Sequence, residues 1–97
     1  MRDYITKTPN DCGPNADRIH KHWRDKGYRA RIVRYWREDD SGHTFVVIET
    51  QNGLAAEDDD RPLFALYAKD FGNPLELAEA FEASVGRSPT IKRAIFA

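Results

Sequence analysis

Apolar residues return at helical spacing in two places along this chain, and between them they alternate with polar ones. Ala16, Ile19, His20 and Trp23 share one side of a helix that begins just after Cys12. Pro14 suits its first position, where a missing N–H costs nothing, and Gly27 is placed to end it in the left-handed conformation. Residues 28–37 alternate β-branched and aromatic side chains with arginine, which predicts a strand. Residues 38–42 read as a turn, and residues 43–50 are the most apolar strand candidate. Asn52-Gly53 is a hairpin signal, because both residues tolerate positive φ. A third strand then runs into the acidic residues 57–60, and a fourth covers about 63–68. Asn73 caps a second helix, Pro74 begins it, and Glu76 is placed to reach back in a capping box. Leu77, Ala80, Phe81 and Ser84 or Val85 make its inner face, with Gly86 closing it. The tail, residues 90–97, adds a short edge strand through Ile91 and Ile95. The pattern predicts an α+β fold in which an N-terminal, cysteine-bearing helix packs on a three- to four-stranded antiparallel sheet, with a second helix near the C-terminus.

Ninety-seven residues, 40% hydrophobic and 32% charged, suit one globular domain spanning 1–97 and are too apolar for a disordered chain. A net charge of -1 argues against a dedicated nucleic-acid binder. That total hides an imbalance: residues 18–37 hold eight Lys/Arg against Asp25 alone, and residues 38–60 hold eight acids with no Lys or Arg. Such a dipolar chain could steer a charged partner. One cysteine excludes an internal disulfide and a multi-cysteine zinc site, and a lone thiol suits a reducing compartment. With no signal-like start and no long apolar run, the expectation is a cytoplasmic protein that does not enter a membrane.

Two residues carry the candidate chemistry. Cys12 stands at the start of the first helix within Asn10-Asp11-Cys12-Gly13-Pro14. The free N–H groups and the positive end of the helix dipole stabilise a thiolate there, and could also hold an oxyanion. The bland alternative is a small hydrophobe filling a core gap. His43 opens a buried strand straight after Ser41-Gly42, where it could take a thiol proton and return it to a leaving group. A third group would fix its ring. A two-residue Asn52-Gly53 turn places Asp58 and Asp60 on His43's face, and a one-residue slip replaces them with Glu57 and Asp59. His20 and His22, two apart on a helix, point in different directions and make no metal site; one reads as an interface residue and the other as solvated.

On these residues a resemblance rests. Asp11-Cys12-Gly13-Pro14, then His43-Thr44-Phe45-Val46-Val47, Gly53 and Asp59, resemble in order the nucleophile, His and Asp segments of the bacteriocin leader peptidases of ABC exporters. The run from Gly27 to Val33 leading to Ser41-Gly42-His43 is similar to the transglutaminase-like cysteine proteins. Both belong to the papain-like cysteine hydrolases, of which this chain resembles a minimal member over roughly residues 10–85. The stretch before Cys12 lacks the glutamine those peptidases use, and the gap from Cys12 to His43 is short for them and closer to the transglutaminase-like group. The resemblance implies a papain-like core and a thiol hydrolase or acyl-transferase. It would act on a peptide bond or glutamine side chain through Cys12, His43 and Asp59 or its neighbour Asp58, in the manner of a Ser-His-Asp triad. No cofactor or metal is implied, and the partner is a protein or peptide. The competing expectation is an inactive small binding or inhibitor protein on the same fold, contacting its partner through residues 57–60 or the arginine-rich strand. Weaker still is nucleic-acid binding through the interleaved basic and aromatic residues of the first helix and strand, whose arginines otherwise read as a solvated face.

Overall fold

The computed structural model describes residues 2–6, 12–87 and 90–97. The elements run α1 (Cys12–Asp25), β1 (Arg29–Arg37), β2 (Gly42–Thr50), β3 (Gly53–Glu57), β4 (Phe64–Ala65), α2 (Pro74–Ser84) and β5 (Ile91–Phe96). All strand pairs are antiparallel, in the order β4-β3-β2-β1-β5. The expected α+β arrangement is what forms, with a five-stranded sheet because the tail pairs with residues 33–37 of β1. The fourth strand is shorter than its apolar sequence suggests, at two residues.

Strand alternation sorts the core into two layers. Ala30, Val46 and Ile48 face α1, where Ala16 and Ile19 meet them, with Ile32 and Trp23 at the margin. Val33, Tyr35, Phe45, Val47 and Ala56 face the other way, onto Leu77, Ala78 and Phe81 of α2. Each helix therefore covers its own side of one sheet, which is why β2 is apolar on both faces and reads as a continuous run.

Both helices end as their glycines predict. At α1, Tyr28 N–H reaches Trp23 O and Gly27 N–H reaches Arg24 O, with Gly27 at φ 91°. At α2, Arg87 reaches Glu82 O and Gly86 reaches Ala83 O, with Gly86 at φ 82°. This is the paired-bond termination that a left-handed glycine permits. The start of α2 follows only half of the expected box. Asn73 Oδ1 accepts from Glu76 N–H, but the Glu76 carboxylate takes the N–H groups of Lys69 and Asp70 and so ties down the loop before the helix. Pro14 is the third residue of α1, still within the first turn where it displaces no helical hydrogen bond.

The arginines of β1 do not form one solvated face. Arg31 lies between the rings of Phe71 and Phe96, 4.8 and 4.7 Å from their centroids, and donates to Phe71 O. Arg37 reaches the buried Glu82. Their aliphatic stems can cover the sheet while the guanidiniums find specific partners.

Candidate functional site

The β2–β3 turn uses Gln51 and Asn52, one position earlier than expected, with Thr50 opposite Gly53. Moving the turn centre by one residue shifts the register by two, so the faces are preserved. Glu57, opposite Val46, turns toward α1, and Asp58 falls on His43's side.

Asp58 is fully buried and His43 is 16% exposed at its side chain. His43 Nε2 lies 2.9 Å from Asp58 Oδ2. The same oxygen accepts from Arg61 Nη1 at 2.8 Å, and Oδ1 accepts from the backbone N–H groups of Asp60 and Arg61. This is a carboxylate-anchored turn, the local preference of aspartate. Burial pushes the Asp58 carboxyl upward, but the His43 bond and charge and the Arg61 guanidinium outweigh it, and the group is held below the usual range. An ionised Asp58 can only accept, so His43 Nε2 is the donor of this bond.

Asp59 stands beside them: one ligand-type atom each from His43, Asp58 and Asp59 lies within 4.8 Å of the others. Its Oδ1 is buried without a hydrogen-bond partner among the described residues. Burial, and then the charges of Asp60 and Asp58, raise its affinity for a proton. The cluster has the donor types of a metal site, but Arg61 already occupies the cation position at Asp58 Oδ2.

The structure does not bring Cys12 to this pair. Cys12, half-buried, opens α1 on the face of Val46 and Ile48. The His43 ring lies on the opposite face, 5.5 Å from the Phe81 ring of α2 and 6.0 Å from Tyr35. No hydrogen bond joins Cys12 to His43 or Asp58 among the described residues. The parity of β2 is the reason: Thr44, Val46 and Ile48 point to α1, and His43, Phe45 and Val47 point away from it. Asn10 and Asp11 of the motif lie outside the described residues.

The acidic stretch divides by role. Glu57, fully buried under α1, accepts from Arg2 Nη1 at 3.0 Å, Tyr4 Oη at 2.7 Å and Trp23 Nε1 at 2.8 Å. Arg2 also donates to the carbonyls of Asp58, Asp59 and Arg61. Two of the four acids are thus internal, and residues 57–60 do not form the acidic contact surface expected of a binding protein. His20 Nε2 donates to Ala30 O, 3.0 Å away, and His22 stacks on Tyr4 at 4.0 Å, so both are half-buried with partners. A third buried carboxylate, Glu82, is one that sequence reasoning missed; it accepts from Tyr35 Oη at 2.6 Å and is gripped by Arg37. Helical spacing could have flagged it, since it follows Phe81 on the buried flank.

Asp58 and Glu82 set the acid limit of the fold. Burial pushes Glu82 upward too, and the Arg37 and Tyr35 hydrogen bonds bring it below its ordinary value. A depressed carboxyl contributes stability that is complete above the unfolded value, near pH 4, and is lost as pH falls through the folded one. Melting temperature is therefore expected to hold from pH 7 to about 5 and to drop steeply below about 4. Asp58→Asn and Glu82→Gln should each flatten that acid limb in thermal scans followed by circular dichroism.

Comparison with protein-family models, curated proteins and solved structures returns no match. Among the described residues, no helix is long and apolar enough to cross a membrane.

Proposed function

We propose that this chain is a small protein- or peptide-binding module in which His43 and Asp58 are structural. The observation that supports this reading is that the helix bearing Cys12 packs on one face of the sheet and the His43 ring lies against Phe81 on the other. A thiol hydrolase needs its base within hydrogen-bond reach of the sulfur, and an intervening sheet denies that. The His43–Asp58–Arg61 group has an alternative purpose: it fastens the start of β2 to the connection between β3 and β4.

The test is the rate of Cys12 alkylation by iodoacetamide at pH 7, in the parent chain and in His43→Ala. The binding-module reading expects labelling no faster than that of free glutathione and unchanged within about 2-fold by the substitution. Labelling at least 10-fold faster than glutathione, and slowed to its rate by His43→Ala, would restore the Cys–His hydrolase.

A further inference from the structure

Helix α1 covers only part of its face of the sheet. It lies on Ala30, Ile32, Val46 and Ile48, and the same row of β1 continues beyond it through Arg34 and Trp36. Their partners on β5 are Ile95 and Arg93, which share the face. Trp36 is opposite Gly42, where a Cβ would crowd the Tyr35 carbonyl oxygen at 3.0 Å and touch the indole at 3.4 Å, so the bare glycine lets the two strands and the ring lie close. Both guanidiniums pack on this ring: Arg34 Cζ and Arg93 Cζ are each 5.3 Å from its centroid.

This trio differs from the other cations of the sheet. Arg29, Arg37 and Lys92 have carboxylate partners, and Arg31 is enclosed between two rings. Among the described residues, Arg34 and Arg93 form no ion pair and the Trp36 indole N–H makes no hydrogen bond, although both arginines are exposed. Three donor groups thus converge on one exposed patch with no acceptor supplied by the fold.

The patch borders an open strand edge. Among the described residues, strand β5 pairs only with β1. Ala97 N–H bonds to Ile32 O, so by antiparallel alternation the pairs Arg34–Ile95 and Trp36–Arg93 exchange hydrogen bonds inward. The backbone groups of Ala94 and Phe96 then point away from β1. Their side chains belong to the α2 side, at the margin of the apolar core.

We propose that β5 receives an extended segment of a partner protein in which acidic and apolar residues alternate, added as a sixth strand. This deepens the binding-module reading and rests on it. Main-chain hydrogen bonds to Ala94 and Phe96 supply the pairing, and alternate side chains supply the selectivity. Carboxylates on one side of the segment meet Arg93 and Arg34 beside Trp36, and apolar residues on the other side extend the core past Phe96. Charge decides among occupants. A second copy would bring Lys92 and Arg93 of both chains onto one short ladder, where like charges repel. A nucleic acid requires a longer track of cations, and here Glu38, Asp39 and Asp40 follow directly after β1.

The experiment titrates the 15N-labelled chain with a synthetic decapeptide alternating glutamate and valine, and separately with a twelve-residue oligothymidylate. The peptide is expected to shift the Trp36 indole signal and the amides of residues 93–96, leave the Trp23 indole (bonded to Glu57) unmoved, and slow amide exchange at Ala94 and Phe96. Arg34→Ala with Arg93→Ala, both at exposed positions, should weaken binding at least 10-fold, and Arg24→Ala on the outer side of α1 should not. No shift at millimolar peptide, shifts confined to another surface, tighter binding of the oligonucleotide at equal salt, or a dimer in sedimentation that Arg93→Glu abolishes would each overturn the proposal. Cys12 alkylation is independent of all of these, so a slow thiol with a silent titration would leave the module reading standing and remove only this partner.

Discussion

Phe81→Ala is expected to cost about 3–5 kcal/mol, as large a loss as a single core truncation brings. Phe81 is fully buried and stacks on Phe45 at 4.2 Å and 15°, with Phe64, His43 and Tyr35 around it. Truncation removes its transfer energy, leaves a cavity between α2 and the sheet, and forfeits an aromatic stack worth about 1 kcal/mol beyond area. Because small domains are stable by about 5–15 kcal/mol, the variant should be near its unfolding threshold at room temperature. Urea titration followed by circular dichroism should show a much lower midpoint with an unchanged slope. Phe81→Leu keeps most of the volume and should cost under about 1.5 kcal/mol. A loss below about 1 kcal/mol for the alanine variant would mean that α2 is not held by this contact.

Arg37→Met should cost about 3 kcal/mol at pH 7, through the charge it abandons more than the contact it loses. The Glu82 side chain is 1% exposed, and Arg37 meets it with Nε at 2.7 Å and Nη2 at 3.1 Å. Tyr35 donates at 2.6 Å and Arg87 approaches at 3.3 Å, but Arg87 is half exposed and cannot replace a bidentate partner. In the variant Glu82 holds its proton more tightly folded than unfolded, so the penalty is present above the unfolded value, near pH 4, and fades below it. The difference in stability between the parent chain and Arg37→Met should therefore be largest at neutral pH and smallest at pH 4. Adding Glu82→Leu should recover much of the loss, since an apolar pair of similar volume substitutes well for a buried ion pair. A pH-independent difference, or no recovery in the double variant, would place the effect elsewhere.

The sequence made the elements legible because their signals are local. Proline and asparagine at one end of α2, and glycine at the far end of each helix, act within a few residues of where they stand. Face assignment is harder, and β2 shows why. Both of its sides are apolar, so the alternation that would reveal which helix each residue meets is absent, and Cys12 and His43 could be imagined across a gap that the sheet fills. The His43–Asp58 contact was among the readings the sequence left open, and it depends on the parity of the turn at Gln51 and Asn52, not on its precise position. Arg2 and Tyr4 gave no sign of their bond to Glu57, since nothing local links residues so far apart in the chain. Nor could the arginines of β1 be sorted into paired and free from spacing alone; that follows from where α1 stops and where Glu82 lies.

The strand order has a kinetic meaning as well. Strands β1 to β4 lie side by side as they follow in the chain, and among the described residues only the β1–β5 strand pairing joins distant segments. Arg34 and Ile95 are about sixty residues apart, against about six for Trp36 and Gly42, and closing the longer loop costs roughly 2 kcal/mol more in chain entropy. The meander can thus register itself through short-range encounters, while β5 must wait for a long-range one, and this pairing raises the contact order of an otherwise locally wired sheet. A ribosome releasing this chain would expose the bare edge of β1 until residues 91–96 emerge.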